Sequence, residues 1–214
     1  MPYCVGLTGG IGSGKSAVAT ALGELGADIV DTDEISHALT TPGGAAMPEI
    51  RAQFGREYMA ADGSLDRERM RKLVFGDPAA KKKLEAILHP MIRSRTRDAV
   101  AGSRAPYVVI VVPLLFETGA YSELVQRVLV VDCDEAEQIR RVIARGTLDA
   151  AQVRRVIAAQ IPRAERLKRA DDIIENNGGL PELRRRVGEL HAGYLRSARA
   201  ASDPPPSGPG NPRR

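Results

Sequence analysis

Cysteine is scarce in this chain: two of its 214 residues are cysteines, Cys4 and Cys133. Each lies inside an apolar run, so we expect two buried, reduced thiols rather than a disulfide or a metal site. The sequence also lacks an apolar run long enough to cross a bilayer, and no secretory signal pattern follows Met1. These absences predict a cytoplasmic protein without a membrane partner.

A large excess of one charge is missing as well. The formal net charge is +4, and arginines near the C-terminus supply part of it. Between residues 138 and 169, however, nine Lys or Arg residues stand against two acidic ones. Such a concentration of cations is typical of a phosphate site. We therefore expect phosphorylated small molecules as ligands, and no nucleic acid.

Five apolar, β-branched runs recur along the chain, and each is continuous rather than alternating, as in strands buried on both faces. They cover residues 3–8, 27–32, 107–112, 127–132 and 171–176. Helical patterns fill the intervals, which predicts the α/β class, with a five-stranded parallel sheet flanked by helices. The clearest of these patterns runs from about 78 to 100, with an apolar stripe between Leu84 and Ile92.

The spacing of these strands also predicts how the chain is divided. The interval between the second and third strands is too long for one crossover helix, so residues 33–105 form a helical insertion. The arginine-rich residues 138–169 form a lid. Residues 201–214 contain five prolines and little to bury, so we expect a disordered tail. The core then consists of residues 1–32, 106–137 and 170–200.

The first predicted strand runs into a glycine-rich loop. Residues 7–16 read LTGGIGSGKS, which contains the phosphate-loop (P-loop) pattern G-x-x-x-x-G-K-[ST] ahead of a helical pattern. Glycines let the backbone turn its N–H groups toward an anion, and the helix N-terminus adds its dipole. Lys15 then reaches the β- and γ-phosphates of a nucleotide, and the Ser16 hydroxyl is a ligand for Mg²⁺. The alternative is a glycine-rich turn that binds nothing.

The second strand ends in Asp31-Thr32-Asp33, at the sheet edge that also carries the P-loop. Because side chains alternate along a strand, Asp31 and Asp33 are expected to point the same way. One carboxylate then accepts a proton from an attacking hydroxyl, and the other helps to order the water around the metal. The alternative is that Asp33 is the N-cap of a following helix, a role compatible with catalysis.

Two further motifs are absent. No aspartate follows the third strand, where P-loop proteins usually place a metal-binding carboxylate, so Glu117 or Asp33 is expected to assist the metal. No N-K-x-D element, which specifies guanine, occurs in the chain, and this absence weighs against a GTPase.

The lid region carries a helical spacing of its own. Gln138, Arg141 and Arg145 follow i, i+3, i+7, so two guanidinium groups can close together over a transferring phosphoryl group. The alternative is a solvated arginine face.

Several segments occur in one order: LTGGIGSGKS, DTD, LHPMIR, VVPLLFE, Q-x-x-R-x-x-x-R, AAQ and ADDIIENNG. In that order and spacing they resemble the dephospho-CoA kinase family, from about residue 3 to residue 196. The resemblance implies a P-loop NTPase core whose substrates are ATP and dephospho-CoA, with Mg²⁺. The γ-phosphoryl group of ATP would pass to the ribose 3′-hydroxyl of dephospho-CoA, and the insertion would bind the CoA part.

The resemblance also implies roles for single residues. Asp33 is the base beside the acceptor hydroxyl, Asp31 supports it, and His89 and Arg93 of LHPMIR bind the acceptor. A packed, hydrogen-bonded histidine is the alternative for His89. The ATP-binding residues implied are Ile11, Gly12, Ser13, Gly14, Lys15, Ser16 and, at the adenine end, Asn176. The catalytic residues implied beside Asp33 are Lys15, Arg141 and Arg145.

Two other functions remain open at this point. A P-loop kinase for a nucleoside or a nucleoside monophosphate would differ in the acceptor that it turns over. A nucleotide-dependent switch would bind ATP and phosphorylate nothing, although the two aspartates and the arginine lid argue against it. The sequence leaves the oligomeric state undecided.

Overall fold

The computed structural model describes residues 1–146 and 148–202. Its centre is a parallel sheet of five strands in the order β2-β3-β1-β4-β5. The strands are β1 Tyr3–Gly9, β2 Asp28–Asp31, β3 Tyr107–Val111, β4 Arg127–Asp132 and β5 Asp172–Glu175. The predicted α/β class and the five predicted strands are therefore confirmed.

Helices cover both faces of the sheet and fill the interval between β2 and β3. They are α1 Lys15–Glu24, α2 Thr32–Leu39, α3 Met47–Phe54, α4 Arg67–Gly76, α5 Pro78–Gly102, α6 Leu115–Thr118, α7 Glu135–Ala144, α8 Ala150–Ala159, α9 Arg163–Lys168 and α10 Leu180–Ser202, with a 3-10 turn at Arg56–Tyr58. The helix predicted from about 78 to 100 is α5. Within the two described ranges, no helix has the length and apolar character needed to span a membrane.

Two apolar layers hold the sheet. On one face, α1 and α10 pack against side chains that include Leu7, Val109 and Leu129 of the three central strands. On the other face, Val108 of β3 is buried together with Val100 of α5. Because the central strands are covered on both faces, their sequences are apolar throughout rather than alternating.

The insertion has a core of its own. Leu39 of α2, Ile50 of α3, Met70 of α4 and Ile87 of α5 are buried together. The rest of the predicted stripe on α5 packs around them: Leu84, Leu88, Met91 and Ile92. Since Val100 of the same helix belongs to the sheet core, α5 connects the insertion directly to the sheet.

The strand order fixes where a ligand can bind. β1 lies in the middle of the sheet, between β3 and β4, so the loop after Gly9 leaves from the centre of the carboxyl edge. The neighbouring strands end at the same edge because all pairs are parallel. In open α/β sheets this edge is where ligands bind.

Two other expectations concern residues away from this edge. Cys4 and Cys133 are buried free thiols, as predicted. The last helix continues through Ser202, two residues into the predicted tail. The remaining tail residues, 203–214, and Thr147 of the lid lie outside the described residues.

Candidate active site

The P-loop joins β1 to α1 and presents unpaired backbone donors. Gly12 and Gly14 have φ angles of 71° and 99°, in the left-handed region that favours glycine. Space requires glycine as well, because a Cβ on Gly14 would lie 2.1 Å from Nδ2 of Asn176. Among the described residues, nothing accepts a hydrogen bond from the N–H groups of Gly14, Lys15 and Ser16. With the dipole of α1, these donors suit the phosphates of a nucleotide.

Two side chains support the P-loop from the end of β5 and from α7. Asn176 is buried, and its Nδ2 donates to the carbonyl oxygen of Ser13 at 2.8 Å. Arg141 donates to the carbonyl oxygens of Asn176 at 2.9 Å and Ser13 at 3.4 Å, and to Glu137 at 2.7 Å. The family resemblance implies that Asn176 lies at the adenine end of the nucleotide, and the lid spacing puts Arg141 over the phosphoryl group; both remain predictions. In the structure both side chains bond the carbonyl oxygen of Ser13 and so hold the backbone of the loop in place.

The predicted face of lid residues on α7 is divided between two environments. Gln138 is buried, and its Nε2 donates to the carbonyl oxygen of Cys133 at 2.7 Å. A Cβ on Gly10 would lie 2.8 Å from Oε1 of Gln138, so this side chain packs directly against the P-loop. Arg145, in contrast, is the exposed C-cap residue of α7. The N-terminal half of α7 therefore packs against the P-loop, and the positive charge of Arg145 at its C-terminal end is exposed to solvent.

The ammonium group of Lys15 forms hydrogen bonds to the backbone of the P-loop itself. Its Nζ donates to the carbonyl oxygens of Gly9 at 2.8 Å and Gly10 at 3.1 Å. Burial lowers the pKa of Lys15 to about 8, Asp33 opposes this shift, and Arg166 adds to it. A bound phosphate would supply the missing counter-charge, so nucleotide binding and protonation of Lys15 favour each other.

The two aspartates of the DTD segment differ from the predictions. β2 ends at Asp31, and Asp33 already lies in the first turn of α2, so strand alternation does not reach it. Asp31 is the N-cap, because its Oδ1 accepts from the backbone N–H of Asp33 at 2.8 Å. Thr32 fixes the start of the helix by donating to the carbonyl oxygen of Val111 at 2.9 Å. The predicted N-cap at Asp33 was therefore wrong, and strand alternation cannot set the direction of its side chain.

Asp33 lines a pocket of about 250 Å³ between α2, α5 and the segment after β3. Partial burial raises the pKa of Asp33, the Asp31 carboxylate adds to the rise, and Lys15 opposes it. A carboxylate with a raised pKa is better matched to the uptake of a proton. His89 and Arg93, one turn apart on α5, line the same pocket. His89 is exposed, so the packed alternative for this residue was wrong.

The rest of this acceptor pocket is apolar for the most part. The residues with apolar side chains along it are Leu84, Leu88, Ile92, Val112, Pro113, Leu114, Ala120 and Tyr121. A second pocket of about 550 Å³ adjoins it and shares Arg93, Thr118 and Ala120 as lining residues. The two pockets together form a continuous depression from Asp33 along α5.

The segment between α8 and α9 contacts the P-loop, which the sequence did not predict. The backbone N–H of Ile11 donates to Oε1 of Gln160 at 3.2 Å. An AAQ tripeptide ends at Gln160, but the partners are 149 positions apart in the sequence, so no local pattern predicts the contact. Arg163, three residues further on, donates to both carboxylate oxygens of Asp132, at distances from 2.6 to 3.2 Å. These contacts hold residues 160–163 against the carboxyl edge of the sheet.

The carboxylate of Glu117, predicted to assist a metal, also contacts the lid. Its Oε1 accepts from the backbone N–H of Ile161 at 3.0 Å. No group of three or more His, Cys, Asp or Glu side chains within the described part of the chain is arranged to hold a metal ion. Mg²⁺ is usually bound by one or two protein oxygens together with substrate phosphates and water. The exposed Ser16 hydroxyl, at the N-terminus of α1, fits that kind of site.

The parallel sheet, the P-loop at its carboxyl edge and the pocket beside Asp33 define this chain as a P-loop kinase. The model of the dephospho-CoA kinase family matches residues 3–182. The chain belongs to the dephospho-CoA kinase family.

Individual relatives and solved structures are similar to this chain over most of their length. A dephospho-CoA kinase from Nitrosospira multiformis is 52% identical over 197 residues, which is 92% of this chain and 98% of the relative. The crystal structure of a Thermus thermophilus protein has a TM-score of 0.78 at 35% identity, and 90% of this chain and 97% of that one are covered. A dephospho-CoA kinase from Campylobacter jejuni has a TM-score of 0.67 at 25% identity, with 92% and 99% covered.

Proposed function

We propose that this protein transfers the γ-phosphoryl group of ATP to the ribose 3′-hydroxyl of dephospho-CoA, which gives coenzyme A. The position of Asp33 carries the proposal. Its carboxylate lines the acceptor pocket, and its charge also acts on Lys15 of the P-loop. A hydroxyl bound in the pocket against Asp33 therefore lies beside the site of the phosphate chain.

In the proposed reaction the acceptor O–H bond breaks as the new P–O bond forms, and Asp33 takes the proton. The bond between the γ-phosphorus and the bridging oxygen breaks, and ADP leaves with that electron pair. Lys15 exchanges the carbonyl oxygens of Gly9 and Gly10 for phosphate oxygens. Because Lys15 is mostly shielded from water, its charge acts on those oxygens more strongly than it would in solvent.

Mg²⁺ would be held by the Ser16 hydroxyl. The carboxylates of Asp31 and Glu117 lie at the same edge of the sheet and would assist. When bound, it neutralises charge on the β- and γ-phosphates. The chain's own contribution is the orientation of Ser16, which sits at N2 of α1 because Gly14 caps the helix in a left-handed conformation.

The remaining residues divide between the two substrates. His89 and Arg93 project from one face of α5 into the acceptor pocket, where they would meet the polar groups of dephospho-CoA. Arg145 adds positive charge near Lys15. Asn176 and Arg141 would act on ATP through the P-loop backbone that they hold. In this proposal residues 33–105 bind CoA, residues 138–169 form the lid, and the enzyme works in the cytoplasm.

The test is turnover of dephospho-CoA against a panel of other acceptors, with adenosine, AMP and shikimate at equal concentration. We expect ADP release with dephospho-CoA to exceed that with each other acceptor by at least about 10³-fold in kcat/KM. The product should carry its new phosphate on the 3′-oxygen, as read by phosphorus NMR. Equal or higher kcat/KM for one of the other acceptors would overturn the assignment of the substrate.

A further inference from the structure

One guanidinium group of the lid has no role in the site described so far. Arg166, on α9, is 6% exposed. Its side chain makes no hydrogen bond or ion pair with residues 1–146 or 148–202. Arg163 on the same helix is different, because Asp132 and Asp134 accept from its guanidinium group. Arginine has five N–H donors and is almost never buried unless it is paired. None of the Arg166 nitrogens is fully buried without a partner, so these donors can still reach a bound ligand.

The contacts around α9 fix the position of this helix at the carboxyl edge of the sheet. Gln160 is bonded to the P-loop, Ile161 to Glu117, and Arg163 to the end of β4. The three anchored residues lie within four residues of one another. Their partners belong to three different elements, namely the P-loop, α6 and β4. Arg166 follows one helical turn after the last anchored residue, so it is held against the carboxyl edge of the sheet. A guanidinium group held in this way is already positioned before a ligand binds.

The charges nearby show which part of the site Arg166 faces. Burial lowers the pKa of Arg166, and the carboxylates of Glu117 and Asp132 oppose this shift. Arg166 in turn lowers the pKa of Lys15, and more strongly than Arg145 does. Two cations that repel each other in a partly buried space are stabilised by an anion bound between them.

We propose that Arg166 is a catalytic residue that binds the phosphoryl group during its transfer. This inference rests on the proposed kinase function. As the bond to the leaving ADP oxygen lengthens and the bond to the acceptor oxygen forms, negative charge is carried by the three equatorial oxygens of the phosphoryl group. The guanidinium fork of Arg166 donates two N–H groups to those oxygens, in addition to the ammonium group of Lys15.

The test compares Arg166→Met with the matched control Lys168→Met. Lys168 lies on the same helix and pairs with Glu165 at the surface. We expect Arg166→Met to lower kcat on the order of 10²- to 10³-fold, the range for loss of one preorganised donor, and Lys168→Met to stay within about twofold of the parent protein. Calorimetry without acceptor should show ATP affinity lowered about tenfold in Arg166→Met, and ADP affinity unchanged.

Two results would overturn the proposal. One is a wild-type kcat in Arg166→Met. The other is a lower melting temperature with ATP and ADP affinities reduced equally, which indicates that Arg166 balances Glu117 and Asp132 and no phosphate.

If Arg166→Met does not fold, Arg166→Lys tests the proposal instead, because lysine keeps the positive charge and lacks the two parallel N–H donors of the guanidinium group. A folded Arg166→Lys protein should have kcat lowered about tenfold, and a wild-type kcat there contradicts the proposal. The ATP-against-ADP comparison needs no acceptor, so it remains decisive even if dephospho-CoA proves not to be the substrate.

Discussion

The two halves of the candidate site are built differently. On the nucleotide side, Asn176, Arg141 and Gln138 bond or pack against the P-loop backbone. On the acceptor side, His89 and Arg93 are exposed side chains on α5, and neither is fixed by a hydrogen bond to another described residue. The nucleotide side is thus preorganised by the core of the fold, and the acceptor side is open.

This difference follows from what each side must bind. Triphosphate recognition needs an invariant cradle of N–H groups, which a loop between β1 and α1 supplies through its backbone. Acceptor recognition depends on the shape and polar groups of one molecule, which side chains of α2 and α5 supply. The apolar core of the insertion packs α2 against α5, so that side chains of both helices line one pocket. We therefore expect changes in the P-loop, and at Asp33 where the two halves meet, to affect kcat, and changes at the acceptor-binding side chains of α5 to affect KM.

The largest effect is expected from Lys15→Met, which removes the charge and keeps much of the volume. Without the ammonium group the charge on the transferring phosphoryl group loses a preorganised partner, so kcat should fall on the order of 10³-fold. Steady-state kinetics measure this, and circular dichroism checks the fold. The control is Lys82→Met, an exposed lysine on α5, which should leave kcat unchanged. A Lys15→Met protein with kcat within tenfold of the parent would exclude the P-loop assignment.

The next effect concerns Asp33, where the structure sharpens the prediction. The N-cap of α2 is Asp31, so Asp33→Asn leaves the cap intact and the melting temperature should hardly change. Since the amide cannot accept the proton, kcat should fall on the order of 10²-fold or more, with ATP affinity unchanged. The matched control is Glu34→Gln, one residue further along α2. A folded Asp33→Asn enzyme with nearly full kcat would remove Asp33 from the catalytic residues.

A smaller effect is expected from a change of pH, which should alter ATP affinity through Lys15 on the nucleotide side. The pKa of Lys15 is about 8 because burial disfavours its charged form. As pH rises from 7 to 9 the free protein loses this charge, so ATP affinity should fall by about tenfold. Calorimetry at both pH values, with Lys15→Met as control, measures the effect. An ATP affinity that is equally pH-dependent in Lys15→Met would assign the titration to another group.

Much of this arrangement could be predicted because its determinants are local. The P-loop is contiguous in sequence, and its glycines, lysine and serine define the anion site with few further contacts. Likewise, the continuous apolar runs identify the strands, since central parallel strands are buried on both faces.

Other features depend on contacts that no local pattern encodes. The bond between Ile11 and Gln160 joins residues 149 positions apart. The N-cap at Asp31 shifts α2 by two residues, and that shift decides whether Asp33 belongs to the strand or to the helix. Burial of Arg166 could not be read from a segment in which nine basic residues look equally solvated.

The smallest effect is expected on the acceptor side, from His89→Ala. His89 lines the acceptor pocket from an exposed position, and its loss removes one polar contact from an otherwise intact, mostly apolar pocket. A single neutral hydrogen bond contributes about 1 kcal/mol, so KM for dephospho-CoA should rise about fivefold. The values of kcat and of KM for ATP should stay the same, because the P-loop does not depend on α5 for its hydrogen bonds. Arg95→Met, an exposed residue of α5 outside both pockets, is the control. A drop in kcat at unchanged KM would show that His89 acts on the reacting groups, and the division between a preorganised nucleotide side and an open acceptor side would then fail.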